Sequence, residues 1–206
     1  MNNPFPKFYD NRFSMVHKSD NRQLGLDNDL SISEASIKNK SLSVFNSFLI
    51  IYEEDLYSSD PTLSKRAAGQ LAKLGFHSIN VLTTALRSDI DHVAINAANG
   101  IKWIGSNAKI AVFNLSLMLH HKNKTCRETA AATLGILKSI PSISVFALAS
   151  ALRDDELTVR QYASAALGEF DGNDLNYILS ELQHAVYDED KHVRTFIKYA
   201  ITKTGI

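Results

Sequence analysis

The chain has 206 residues, and its 22 Lys and Arg balance its 22 Asp and Glu, so it carries no formal net charge. Hydrophobic residues make up 45% of the composition, as in ordinary folded proteins, and the absence of a basic surplus argues against binding nucleic acid. A single cysteine excludes an internal disulfide and any metal site built from several cysteines.

The first 40 residues differ from the remainder of the chain. They are rich in Asn, Ser, Asp and Lys and show no sustained periodicity, which predicts a flexible or loosely docked N-terminal arm. Aromatic residues near its start could dock it on the rest of the chain or on a partner; these are Phe5, Phe8, Tyr9 and Phe13. No apolar run has the length of a signal peptide or a membrane span, so we expect a cytoplasmic protein without membrane insertion.

An internal repeat occupies the chain from residue 63 onward. Five segments align on the template V-R-x-x-A-A-x-A-L-G-x-x-G, with starts that differ by 30, 33, 33 and 34 residues. The segments begin at Leu63, Val93, Cys126, Val159 and Val193. Apolar residues at positions 1, 5, 8 or 9 and 12 fall on one helical face, so each segment predicts a helix. The small alanines at positions 5 and 6 predict close approach of a neighbouring helix.

Glycines and a second set of apolar segments complete the repeat. Gly75, Gly105 and Gly205 stand where a helix C-cap favours a left-handed residue. A further apolar helix precedes each template segment, over residues 42–56, 77–86, 108–119, 143–152 and 175–187. Since such helix pairs bury their apolar faces only by stacking, the sequence predicts an all-α fold, an α-solenoid of about five helix pairs over residues 41–206.

The pattern Asp-x-x-x-Val-Arg followed by Ala-Ala-x-Ala-Leu-Gly, clearest over residues 155–168, resembles the short HEAT-like repeat. The resemblance covers most of the chain. It implies that the second helix of each pair lines a concave face, and that a turn Asp pairs with the position-2 Arg of a neighbouring repeat. That Arg is present at Arg127, Arg160 and Arg194, but Ser64 and Ala94 replace it in the first two repeats. The third repeat has no turn Asp, so we expect a continuous ladder only in the last two repeats.

The concave face is the candidate binding surface. Template positions 3, 4, 7 and 11 should point away from the core, position 4 being Asn96 in the second repeat. Grouped, exposed aromatic residues favour recognition, and packing between repeats is the alternative. With neighbouring cations, the candidate ligand- or partner-binding residues are Arg66, Lys73, Lys102, Trp103, Tyr162, Phe196, Lys198 and Tyr199.

Motifs for catalysis are missing. The sequence has no G-x-S-x-G, Walker A or dinucleotide fingerprint. No histidine is followed by Glu, unlike the deoxyhypusine hydroxylases, a family of similar architecture that binds iron through His-Glu pairs. We therefore assign no catalytic residue and expect no metal. Cys126 is expected to be a small buried hydrophobe, and a thiol that transiently carries an electrophilic ligand is the alternative. His120 and His121 are expected at a helix end, where a cation favours the helix dipole, and metal binding is the alternative.

Small, near-neutral chains of these repeats resemble the lyase subunits of cyanobacteria and red algae that attach bilins to phycobiliproteins. The chain best resembles the shorter partner of a heterodimeric phycoerythrin-type lyase. The resemblance implies a transiently held bilin and no permanent cofactor, and as partners a phycobiliprotein subunit and a second HEAT-like chain. A chaperone for the apo-phycobiliprotein and a non-catalytic HEAT-repeat scaffold for protein–protein interaction are the alternatives.

Overall fold

A computed structural model describes residues 31–205, with side chains from residue 43 onward. Most of the predicted N-terminal arm, residues 1–30 with its aromatic cluster, lies outside the described residues. The helices are α1 (Ser31–Leu56), α2 (Pro61–Lys73), α3 (Ile79–Ala85), α4 (Asp91–Ile104), α5 (Val112–Met118), α6 (Lys124–Leu137), α7 (Pro141–Ala151), α8 (Leu157–Leu167), α9 (Gly172–Leu175), α10 (Leu179–Ala185) and α11 (Lys191–Lys203). Short 3-10 segments, Gly75–Ser78, Gly105–Ala111 and Asn176–Ile178, lead into α3, α5 and α10.

The helices form five successive pairs, which confirms the predicted all-α solenoid. The second helices α2, α4, α6, α8 and α11 carry the template segments and pack against one another in chain order. In the later pairs the first helix packs against the second, with α3 on α4, α5 on α6, α7 on α8 and α10 on α11. No helix in the described part of the chain is both long and apolar enough to cross a membrane.

Glycines end three of the second helices, as predicted. Gly75, Gly105 and Gly205 adopt φ values of 59°, 73° and 76°, in the left-handed region that glycine enters without strain. The third repeat has no glycine there, and two other residues, Lys138 and Ile140, take φ values of 44° and 48° instead. The first helix α1 begins at Ser31, well before the predicted residue 42.

Small residues bring the second helices together. The alanines at template positions 5 and 6 are buried, among them Ala67, Ala68, Ala130 and Ala131. One close approach joins α6 to α8, where a Cβ added to Gly135 would lie 2.7 Å from the Cβ of Ala166. Because real Cβ atoms do not approach so closely, glycine is required at this crossing.

Every turn between the paired helices uses a side chain to accept the backbone N–H two residues later. The distances are 3.1, 3.2, 3.0, 2.9 and 2.8 Å in chain order. The accepting residues are Ser58, Ser88, His121, Asp154 and Asp188. Three different side-chain types therefore make the same turn, which the sequence pattern did not reveal.

Arginine–aspartate pairs connect the later repeats. Arg127 donates to both oxygens of Asp154 in the next turn, at 2.7 and 2.9 Å. Arg160 donates to Asp188 at 2.9 Å and to Glu189 at 2.8 Å. The ladder therefore includes the third repeat, one earlier than expected. Each Arg reaches forward to the following turn, so a repeat needs no turn Asp of its own to begin the ladder.

The first two repeats are joined by neutral groups instead. Asn96 donates its side-chain amide to Ser64 at 3.0 Å, and the Ser64 hydroxyl donates to the carbonyl of Leu56 at 2.7 Å. Asn96 is consequently only 8% exposed. The prediction that its side chain points away from the core is wrong, because the amide substitutes for the missing Arg of this junction.

Candidate ligand- and partner-binding surface

The solvent-facing side of α2, α4, α6, α8 and α11 is here called the second-helix surface. Trp103 is 67% exposed on it, and Tyr162 and Tyr199 are 38% and 40% exposed. Lys102 and Phe196 are half-buried. The remaining predicted residues, Arg66, Lys73 and Lys198, are exposed. The eight candidate residues are thus accessible in whole or in part.

One group of these residues surrounds Trp103. Its indole lies over Gly69, where an added Cβ would be 3.2 Å from Cζ3 of the ring. Arg66 and Lys73 precede and follow Gly69 by one helical turn, so they share its side of α2 and stand about 10 Å apart along the helix axis. Together with Lys102, these residues form the tryptophan cluster. Gly69, at template position 7, was the sequence signal for the contact with Trp103, and the prediction did not use it.

The cations of the tryptophan cluster have no acidic partner in the part of the chain whose side chains are described. Arg66, Lys73 and Lys102 form no ion pair or side-chain hydrogen bond with the described residues. Burial lowers the pKa of Lys102, since its ammonium is partly removed from water with no anion beside it. An anionic ligand would supply the missing counter-charge.

A second group lies at the other end of the surface, on α8 and α11. Tyr199 lies against Gly168, 3.4 Å from the position of an added Cβ. Lys203 donates its ammonium to the carbonyl of Gly168 at 2.8 Å and lies 5.7 Å from the centroid of the Tyr199 ring. Lys203 had not been predicted as a site residue. The tyrosine cluster is defined as Tyr162, Phe196, Lys198, Tyr199 and Lys203.

The structure does not bring the two clusters together. Trp103 lies on α4 and Tyr199 on α11, with α6 and α8 packed in order between them. Adjacent packed helices are about 8–10 Å apart, so Tyr199 lies roughly 25–30 Å from Trp103 along the solenoid, and Tyr162 on α8 lies roughly 16–20 Å from it. One small molecule therefore occupies one cluster, and an extended partner is needed to reach both.

The surface of α6 between the clusters is less aromatic. Thr129, Ala132 and Ile136 are half-buried on α6. Two acidic residues border this stretch and are already engaged, Glu128 accepting a hydrogen bond from Thr158 and Glu169 lying 3.7 Å from the ammonium of Lys138. This middle region offers contact area and few free charges.

Cys126 belongs to the core and not to this surface. Its side chain is fully buried, which confirms the prediction of a small buried hydrophobe. Burial, followed by the charge of Asp91, raises the pKa of its thiol to about 11. At neutral pH the sulfur is therefore protonated and a poor nucleophile.

Two open clefts lie beside α10, away from the second-helix surface. One encloses about 480 Å³ between α10 and α11, and its lining includes His184, Tyr187 and Ile201. The other encloses about 210 Å³ between α7 and α10, with Arg153 and Glu181 in its wall. Neither contains a predicted site residue, because the sequence argument considered only the second helices.

Comparison with known proteins yields structural neighbours alone. No family model matches the chain, and no curated protein sequence matches it. Among solved structures, the complex of CpcE and CpcF of phycocyanin lyase from Nostoc sp. PCC7120 is similar at 22% identity and TM-score 0.58, over 75% of this chain and 65% of that one.

Other neighbours include engineered proteins. One engineered protein matches at 19% identity and TM-score 0.59, over 74% of this chain and 77% of that one. A computationally designed armadillo repeat protein for modular peptide recognition matches at 17% identity and TM-score 0.56, over 75% and 81% of the two chains. At these identities the likeness establishes the HEAT- and armadillo-like solenoid fold.

Proposed function

We propose that the chain is a subunit in the covalent attachment of a bilin to a cysteine of a phycobiliprotein, and that the tryptophan cluster holds the bilin. One observation carries the proposal: an exposed indole stands among three cations that have no acidic partner among the described residues. A bilin is a flat conjugated molecule with two propionates, so it calls for a stacking face and for separated cations.

The geometry of α2 supports this assignment. Trp103 lies over Gly69, with Arg66 one turn before that glycine and Lys73 one turn after it. A planar ligand stacked on the indole would have a cation on either side. Half-buried Lys102 adds a third cation from α4, and an anionic ligand would relieve the cost of its burial.

The tyrosine cluster has a different role in this proposal. Its residues on α11 lie roughly 25–30 Å from Trp103, beyond the reach of the same tetrapyrrole, and Tyr162 on α8 lies roughly 16–20 Å away. Tyr162 and Tyr199 are enough exposed to meet a protein surface. We assign this end to the phycobiliprotein or to a second HEAT-like chain. The likeness to the CpcE–CpcF complex supports a two-chain assembly.

The contribution to the chemistry would be positioning. The attacking thiol belongs to the phycobiliprotein, and its addition to a carbon–carbon double bond of the bilin forms a thioether without loss of any atom. Cys126 is buried and protonated, so it is not the attacking group. Holding the bilin and the acceptor cysteine together raises their effective concentration. A chaperone that holds only the apo-phycobiliprotein would use the same tyrosine cluster.

A non-catalytic scaffold is the second candidate, favoured by a specific observation. The two clusters are linked by a continuous, weakly charged surface along α6 and α8, which suits an extended polypeptide better than a small molecule. The similar armadillo repeat protein was designed for peptide recognition.

Co-expression tests the first candidate. The chain is produced with a bilin source and apo-phycobiliprotein subunits, with and without a second HEAT-like chain, and covalent product is read as zinc-enhanced fluorescence on denaturing gels. We expect a fluorescent band that depends on the chain, is lost in Trp103→Ala and falls at least tenfold in Arg66→Glu. Lys109→Glu, an exposed charge reversal between α4 and α5, is the matched control and should retain the band.

The two candidates give different results. A chain-dependent band unaffected by Trp103→Ala places the bilin elsewhere and leaves a chaperone role. No chain-dependent band with any subunit or second chain overturns the attachment proposal. Binding of a phycobiliprotein or another polypeptide that weakens in Tyr199→Ala then supports the scaffold.

A further inference from the structure

The junction between the second and third repeats departs from the template at several positions at once. The two later junctions use an Arg and an Asp, whereas here Ala94 and His121 occupy the corresponding places. Cys126 stands at template position 1, where the fourth and fifth repeats have Val159 and Val193. The replacements introduce a thiol and an imidazole at one point in the stack.

Asp91 completes a group of three metal-ligand side chains at this point. It begins α4, while His121 lies in the turn before α6 and Cys126 in the first turn of α6. One ligand atom from each of the three lies within 4.8 Å of the other two. Nε2 of His121 lies 3.9 Å from Oδ1 of Asp91. The thiol of Cys126 lies 3.8 Å from the backbone carbonyl of Asp91.

The carboxylate of Asp91 is incompletely satisfied. Its Oδ2 accepts a hydrogen bond from the side-chain amide of Asn123 at 2.6 Å. Its Oδ1 is buried and accepts no hydrogen bond from residues 43–205, and His121 is too distant to donate to it. A buried carboxylate oxygen without a partner is unusual and calls for an ion or a water molecule. The bond from Asn123 meanwhile fixes the orientation of the carboxylate, as outer partners of metal ligands do.

We propose that Asp91, His121 and Cys126 form a zinc site that ties the second repeat to the third. Thiolate, imidazole and carboxylate together match the ligand preferences of Zn²⁺ and do not match those of Mg²⁺ or Ca²⁺. Metal–ligand bonds of about 2.0–2.3 Å bring tetrahedral donor atoms to roughly 3.3–3.8 Å from each other. The three side chains need only a small inward movement to reach that spacing, and water completes the fourth position.

Binding redistributes two protons in a defined way. The Cys126 thiol gives its proton to solvent as the sulfur–zinc bond forms. The ring of His121 now accepts the N–H of Asn123 at Nδ1, which places its own proton on Nε2 facing Asp91. Coordination through Nε2 moves this proton to Nδ1, and the hydrogen bond from Asn123 is given up. Zinc should therefore accelerate hydrogen exchange of the Asn123 amide while it protects α4 and α6.

Cobalt and zinc titrations of the purified full-length chain test the site. We expect one Co²⁺ per chain with a thiolate-to-cobalt charge-transfer band, displaced by Zn²⁺. Cys126→Val should abolish the band and keep the helicity, because valine is the residue of later repeats. His121→Ser and Asp91→Asn should weaken binding at least tenfold, and the serine preserves the turn used by Ser58 and Ser88. The exposed neighbours give the matched controls His120→Ser and Asp89→Asn, which should bind as the parent does.

The titrations distinguish the three-residue site from metal binding by the thiol alone. A band that survives His121→Ser and Asp91→Asn unchanged means that the thiol binds metal alone, and the three-residue site is wrong. A parent chain without a thiolate band, or one whose binding falls equally in His120→Ser, also overturns it. None of these measurements involves a bilin, so the outcome is independent of the proposed function.

Discussion

Arg127 of the third repeat and Asp154 of the fourth share two nearly parallel hydrogen bonds, of 2.7 and 2.9 Å, at the junction of α6 and α8. The same guanidinium also donates to the carbonyls of His121 and Lys122 in its own turn. The two side chains are only 15% and 11% exposed. One arginine thus connects the turns of two successive repeats, and the charge pair is well shielded from solvent.

Asp154→Asn should destabilise the protein at neutral pH. We expect a loss of about 2 kcal/mol in the free energy of unfolding, since a charge-assisted bidentate pair becomes a neutral contact. Glu156→Gln is the matched control, because its exposed pair with Lys124 at 3.5 Å should contribute less than about 0.5 kcal/mol. Urea unfolding of both variants measures the difference. Equal effects would contradict the importance of the buried pair.

The same carboxylate should make stability depend on acid. Burial raises the pKa of Asp154, but hydrogen bonds from Arg127 and from the N–H of Glu156 outweigh it, and the pKa lies below its ordinary value. The unfolded chain therefore takes up the proton first. The stabilisation is fully present above the ordinary value of about 4 and is lost as pH falls through the folded value. Urea unfolding at several pH values measures this dependence. Between pH 7 and pH 3 the free energy of unfolding should decrease less in Asp154→Asn than in the parent.

Gly135→Ala should separate helix propensity from packing. The added Cβ would lie 2.7 Å from Ala166 in the core, so overpacking of about 1–3 kcal/mol should exceed the gain in helix propensity of about 1 kcal/mol. Gly69→Ala is the control. Its Cβ meets only the exposed, movable ring of Trp103 at 3.2 Å, and we expect no loss of thermal stability. A stabilising Gly135→Ala would mean that α6 and α8 shift apart freely.

The single tryptophan makes the proposed bilin site directly observable. Trp103 is the only Trp of the chain and is 67% exposed, so its emission should resemble that of indole in water and be quenched by iodide. Gly69→Val should displace the ring from α2 and weaken bilin binding severalfold, while far-UV circular dichroism stays unchanged. Ala132→Val, at a half-buried position of α6 outside this cluster, is the control and should bind bilin as the parent does. If the fluorescence of Trp103 does not change when bilin is added, the proposed site is wrong.

Cys126 should react slowly in the metal-free protein. With a pKa of about 11 and no exposure, its thiol should be alkylated at pH 8 at least a hundredfold more slowly than in the unfolded chain. Iodoacetamide labelling with and without urea, followed by mass spectrometry, measures the ratio. Comparable rates in the two states would indicate that α6 opens readily at its N-terminal end.

The sequence predicted the fold well because the repeat is local. Residues spaced by one helical turn, and glycines such as Gly75 and Gly105, determine each pair without information from elsewhere. The left-handed Lys138 and Ile140 were missed, since neither residue type favours that conformation. The site was predicted less completely. The missed features are contacts between different repeats, which no spacing along one helix reveals. They are the packing of Trp103 on Gly69, the burial of Asn96 and the grouping of Asp91 with His121.

The order in which the second helices pack bears on how the protein unfolds. Each of α4, α6 and α8 is supported by the second helix on either side, so the contacts between second helices join residues only about one repeat apart. Such a chain has low contact order and should fold quickly, with fraying that starts at its ends. A defect at the α6–α8 crossing acts differently. It divides the stack into blocks of three and two repeats, at or below the minimum for stability, and the two blocks should then unfold separately.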